Sequence, residues 1–107
     1  MYRAAMTFSL KPGHYDIYKE AHDALWPEIA DSMSRNQINM VIYHYQGRLF
    51  LFATAPSQEH WQRSRDDPRL EKWSTFMATM MVTDGAGKSI VDSMDEAFVF
   101  GQFAESG

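Results

Sequence analysis

Asn39-Met40-Val41-Ile42-Tyr43-His44-Tyr45-Gln46-Gly47-Arg48-Leu49-Phe50-Leu51-Phe52-Ala53-Thr54-Ala55 is the stretch on which the fold turns. Branched and aromatic residues dominate both sides of Gln46-Gly47, and such side chains suit a pleated, half-buried surface. Two antiparallel strands joined by a tight hairpin turn follow, over 39–45 and 48–55. Upstream, residues 2–10 alternate. Tyr2, Ala4, Met6, Phe8 and Leu10 fall on one side and Arg3, Ala5, Thr7 and Ser9 on the other, which is the period of a strand ended by Pro12-Gly13. Between these strands the spacing predicts a helix over about 14–25 that continues to about 35 after Pro27, where the proline either kinks the helix or opens a new one.

Downstream, Pro56 breaks the strand and Ser57 is placed to cap a short helix through Trp61 to about 65. Asp67-Pro68 starts another, in which Leu70, Trp73, Met77, Met80 and Met81 recur at three and four to about 82. The methionines read most simply as core. Residues 95–103 read as a last strand. The order β-α-β-β-α-β predicts a ferredoxin-like α+β sandwich in a single domain over 1–107. Two helices can cover only one face of a four-stranded sheet, yet the strands at 48–55 and 97–103 are apolar on both sides. A homodimer with two sheets packed face to face, a dimeric α/β barrel, is therefore expected.

Composition narrows the function. The formal net charge of −4 is spread along the chain and no basic stripe occurs, which argues against nucleic acid. Absence of cysteine removes thiolate nucleophiles and disulfides and is compatible with a reducing compartment. No apolar run approaches the roughly 20 residues of a membrane span, and no signal-type leader is seen, so a cytoplasmic protein is expected. Asp84-Gly85-Ala86-Gly87-Lys88 lacks the spacing of a phosphate loop. His14, His22, His44 and His60 show no paired-ligand spacing, so no metal site is expected.

Chemistry concentrates in the first helix. Tyr18, His22 and Trp26 stand four apart and share one helical face. They form either a core stripe with a hydrogen-bonded histidine or one wall of a pocket offering a proton carrier, a hydroxyl and a flat apolar surface. Trp26 and Trp73 suit either core packing or stacking on a ring. Asn39 and Tyr43 share a strand face, to be filled by ligand, core or a second copy. Arg3 suits a ligand hydroxyl or an acidic partner. Glu28 is either a second proton carrier or helix-dipole compensation. His44 reads as a surface residue, and His60 and Trp61 as structural.

Taken together, Arg3, then Tyr18-x3-His22-x3-Trp26-Pro27-Glu28, then Asn39-Met40-Val41-Ile42-Tyr43 running into Arg48-Leu49-Phe50, then Trp73 with Phe76-Met77, and finally Glu96-Ala97-Phe98 resemble the L-rhamnose mutarotase family over nearly the whole chain. The resemblance implies a dimeric ferredoxin-like fold and cofactor-independent interconversion of the α and β anomers of a 6-deoxy-L-hexose. It implies His22 and Tyr18 as catalytic residues and Trp26, Tyr43, Trp73, Asn39 and Arg3 as substrate-binding residues, with a monosaccharide as ligand and no cofactor. Two positions depart from the rhamnose type, in which an aromatic residue is expected where this chain has Met40 and a second tryptophan where it has Ser74. The run through Asn39 and Arg48 resembles the branch associated with L-fucose, so the reading leans to L-fucose over L-rhamnose. The same fold pattern also serves small dimeric monooxygenases and haem-handling proteins, and a non-catalytic binding module is a further alternative.

Overall fold

Four antiparallel strands form one sheet in the order β2-β3-β1-β4, with β1 at Tyr2–Ser9, β2 at Asn39–Tyr45, β3 at Arg48–Ala55 and β4 at Asp92–Ser93. This computed structural model describes residues 1–104; residues 105–107, the end of the domain expected over 1–107, lie outside the described residues. The hairpin forms as its sequence predicts, with Tyr45 opposite Arg48 and Asn39 opposite Thr54. Its turn needs two residues with positive φ, supplied by Gln46 at 49° and Gly47 at 78°. That backbone twist matches the twist of the flanking strands. The His44 side chain secures the turn, since its Nε2 accepts from the Gly47 amide at 2.9 Å. The same ring stacks on Tyr15 at 3.7 Å, so His44 serves the hairpin end.

The helices are α1 at Tyr15–Asp23, α2 at Pro27–Arg35, α3 at Gln58–Arg65 and α4 at Leu70–Ala78. Pro27 opens α2 rather than kinking one long helix, and Trp26 before it is extended, at φ −60° and ψ 136°. A proline ring excludes helical backbone from the residue that precedes it. Ser57 caps α3 as predicted, its Oγ accepting from the His60 amide. Asp67 bonds the Arg69 amide ahead of α4. That helix stops at Ala78, short of the expected 82, and Met80 and Met81 enter the core from the turn beyond it.

All four helices cover one face of the sheet. Ala4, Phe8, Leu49, Leu51 and Ala53 point into that layer and meet Tyr18, Trp61, Met77, Met80 and Met81. Leu49 is 1% exposed; full burial of such a side chain contributes roughly 1.5–3 kcal/mol. The other face carries Arg3, Val41, Tyr43, Phe50 and Phe52, and Tyr43 is 66% exposed.

The last strand differs from expectation. Only Asp92 and Ser93 pair, opposite Thr7 and Met6, and residues 95–100 have no regular structure before a 3-10 turn at Gly101–Ala104. Alternating apolar residues make an extended segment but still need a strand edge to pair with. After the Met94 amide bonds the Ala5 carbonyl, the chain leaves that edge, held by the ion pair of Arg3 and Glu96 at 2.7 Å. Phe98 and Phe100 are left 83% and 80% exposed. The fold remains the ferredoxin-like α+β sandwich. Among the described residues no helix is long and apolar enough to cross a membrane.

Candidate active site

Helix α1 builds the reactive wall. Tyr18 and His22 are one turn apart, and the His22 Nδ1 lies 2.9 Å from the Tyr18 carbonyl oxygen. A carbonyl can only accept, so Nδ1 carries the proton and Nε2 keeps its lone pair. Burial is the main influence on this imidazole and holds its pKa below the ordinary value, against weaker upward pulls from the Tyr18 carbonyl and from Asp23. The ring is therefore neutral near pH 7, with Nε2 as a base.

Tyr18 is buried, and burial pushes its phenol well above its ordinary pKa. It stays protonated and can only donate or share its proton. The two rings lie 4.2 Å apart, and Trp73 from α4 meets the imidazole edge-on at 5.3 Å. Trp26 stands behind this wall, edge-on to Trp73 at 5.0 Å and parallel to Phe76 at 5.6 Å. It holds Trp73 in place.

A cavity of about 470 Å³ opens between this wall and the sheet. Met6, Met40, Ile42 and Leu51 form its floor, while Tyr18, His22 and Trp73 supply polar atoms and ring surface. The volume suits a small ring compound. Ser74 and Thr75 lie on the α4 side, and Lys88 and Ser89 reach it from the loop that precedes β4. That loop is shaped by Asp84, whose Oδ1 accepts from the amides of Ala86 and Lys88. Among the described residues no three His, Asp or Glu side chains converge as metal ligands would.

Of the residues singled out in the sequence, Tyr18, His22 and Trp73 come together in this cavity and Trp26 supports them. Arg3, Asn39 and Tyr43 do not line it. Their places in β1 and β2 turn them to the opposite face, where Arg3 pairs with Glu96 and the Asn39 amide reaches Thr54. Glu28 stays in the first turn of α2, away from the cavity lining. Two lining residues escape sequence reasoning: Trp61, read there as structural, and Arg65. Their spacing of four along α3 is the one signal that groups them.

A ferredoxin-like sandwich with a neutral imidazole beside a protonated phenol, on the wall of a small half-apolar cavity, defines a protein suited to acid–base work on a small ring. Comparison with known proteins narrows this class. The family model described as L-rhamnose mutarotase matches residues 3–100. The chain is similar to the L-rhamnose mutarotase of Tolumonas auensis, at 30% identity over 76% of this chain and 81% of that one. It is also similar to that of Bacillus subtilis, at 26% identity over 92% and 97%. Among solved structures, an L-rhamnose mutarotase from Formosa agariphila superposes with a TM-score of 0.79 at 25% identity, covering 94% of this chain and all of that one. A dimeric ferredoxin-like protein from an uncultured marine organism, 13% identical with a TM-score of 0.56, shares the fold. The chain belongs to the L-rhamnose mutarotase family. None of these matches favours a monooxygenase or a non-catalytic binding module.

Proposed function

We propose that this protein is a cofactor-independent aldose mutarotase that interconverts the anomers of a 6-deoxy-L-hexose, with L-rhamnose as its substrate and His22 and Tyr18 as its catalytic residues. The observation that carries this reading is the pairing of opposite proton roles: a half-buried imidazole with a free Nε2 beside a phenol held protonated. Mutarotation needs both. Nε2 takes the proton of the anomeric hydroxyl as the bond from C1 to the ring oxygen breaks, and the Tyr18 hydroxyl donates to that oxygen as it becomes an alkoxide. An open-chain aldehyde results. Rotation about the C1–C2 bond presents the other carbonyl face, and closure returns both protons along the same paths. Trp73 offers its ring to the sugar's C–H face.

The substrate is read from the family. The relatives carry the L-rhamnose name, which outweighs the lean toward L-fucose drawn from the strand residues. Both departures from the rhamnose type, Met40 and Ser74, line the cavity, so the sugar preference is decided there. A cysteine-free composition fits the reducing cytoplasm in which we place the reaction.

The protein works as a homodimer in this reading. Val41 and Tyr43 are exposed beside half-buried Phe50 and Phe52, an apolar face that calls for a partner, and a second copy of the sheet supplies one. Arg3, Asn39 and Tyr43 then belong to that face.

Saturation-transfer NMR on the anomeric protons of L-rhamnose and L-fucose tests the function. Fast exchange with L-rhamnose that collapses in His22→Ala is the expected outcome. No acceleration over buffer with either sugar would overturn the assignment.

A further inference from the structure

Five of the six arginines have a carboxylate within ion-pair distance: Arg3 with Glu96, Arg35 with Asp31, Arg48 with Asp92, Arg63 with Glu59, and Arg69 with Asp31 and Asp67. Arg65 differs. Among the described residues it has no ion pair and donates no hydrogen bond, although a guanidinium carries five N–H donors and no acceptor.

Its position is well defined. Arg65 ends α3 one turn beyond Trp61, and its guanidinium carbon lies 5.4 Å from the centre of the buried Trp61 ring. Such a cation–π contact holds the charged group over the indole ring. The residue is exposed overall, and partial desolvation on its cavity side pulls its pKa down. Both residues line the cavity that Tyr18 and His22 share. Among the described residues no carboxylate lines that cavity, and its other cation, Lys88, lies within electrostatic reach of Asp84. A guanidinium on the cavity lining without a carboxylate partner keeps its N–H donors free for a ligand that accepts from them.

We propose that Arg65 is a substrate-binding residue, donating two parallel hydrogen bonds from its planar fork to a vicinal pair of sugar hydroxyls. The inference rests on the mutarotase reading and adds a recognition element on the helix α3 side of the cavity, facing the deoxy-hexose away from its reacting end. A planar fork matches two adjacent oxygens as a lysine cannot. Arg65 thereby chooses among sugars by the arrangement of neighbouring hydroxyls.

The test is saturation-transfer NMR with wild type, Arg65→Met and Arg65→Lys, on L-rhamnose and its monodeoxy analogues. Circular dichroism and thermal melting accompany each variant. Losing hydrogen bonds from a charged donor should raise KM roughly tenfold to a hundredfold in Arg65→Met, with kcat nearly unchanged. Arg65→Lys, which keeps the charge over Trp61 and serves if the methionine variant folds poorly, should recover little of the loss. At least one monodeoxy analogue should bind wild type much more weakly than L-rhamnose and bind Arg65→Met no more weakly than L-rhamnose. A KM within twofold of wild type in both variants, or the same analogue penalty in all three proteins, would overturn the proposal while wild-type exchange leaves the mutarotase reading standing. Tighter binding of a hexuronate than of L-rhamnose, lost in Arg65→Met, would assign the guanidinium to a carboxylate and overturn the hydroxyl assignment. Absence of exchange in wild type would overturn both.

Discussion

The two faces of the sheet are built from the same three long strands, yet they behave as different materials. The face under the helices is closed: Ala53 is fully buried, Leu49 nearly so, and this layer encloses the cavity with its imidazole and phenol. The opposite face carries Tyr43, Val41, Phe50 and Phe52, crossed at one edge by the segment after β4, where Phe103 meets Phe52 edge-on at 5.5 Å. Sequence alternation makes the covered face almost wholly apolar and leaves the open one mixed, with Val41, Tyr43, Phe50 and Phe52 among Arg3, Asn39, Arg48 and Thr54. Helix connectivity covers only one. The covered face can hold a titratable group away from water and so set its proton affinity, whereas the open one can only contribute to association.

This contrast is open to attack at graded points. The largest effect belongs to the covered face: His22→Ala should lower anomer exchange by about 10²–10⁴-fold while leaving the melting temperature near wild type, as NMR exchange and calorimetry together would show. Leu49→Ala, in the same layer but remote in role, should destabilise folding by about 2–5 kcal/mol in urea unfolding, because its side chain leaves a cavity among close-packed neighbours. If that substitution proved silent, the two faces would be energetically alike.

The pH profile comes next in size. The folded pKa of His22 is depressed, so its base form is fully present above the unfolded value of about 6.5 and is lost as pH falls through the lower folded value. Exchange should be flat near neutrality and fall up to tenfold per unit on the acid side, below pH 6.5. Because the Tyr18 phenol is raised, no alkaline loss should set in around pH 10 from its ionisation. An acid limb centred above 6.5 would contradict the burial of the imidazole.

On the open face, Tyr43→Glu should leave the folded protomer within about 0.5 kcal/mol of wild type, as exposed substitutions do. It should shift the proposed homodimer toward monomer in light scattering, since a charge placed on each copy would meet its symmetry mate. Smallest of all, Glu96→Gln breaks only an exposed ion pair, and its melting temperature should be indistinguishable from wild type.

Much of this was legible before any coordinates. The hairpin at 39–55, the strand at 2–9, the cap at Ser57 and a change of helix path at Pro27 follow from local rules of turn, alternation and capping, which act between near neighbours. The pairing of Tyr18 with His22 is local as well, being one helical turn. Three readings stood beyond such rules. The strand expected at 95–103 required a free edge, and β1 offers one only to Asp92 and Ser93. Asn39, Tyr43 and Arg3 were grouped with His22 by chain pattern, but a strand's two-residue period puts them on the sheet face that the helices leave open. Trp61 and Arg65 were passed over because nothing near them in the chain marks a pocket.

By itself, then, the order of residues determined the first strand, the hairpin, the cap of α3 and the one-turn spacing of Tyr18 and His22 in α1. The packing of α3 and α4 against one sheet face decided the rest: which tryptophans touch the cavity, which one only braces them, and which arginine lacks a carboxylate partner among the described residues. Those outcomes depend on contacts between residues tens of positions apart, whose distances are set by how the layers close and not by any spacing along the chain.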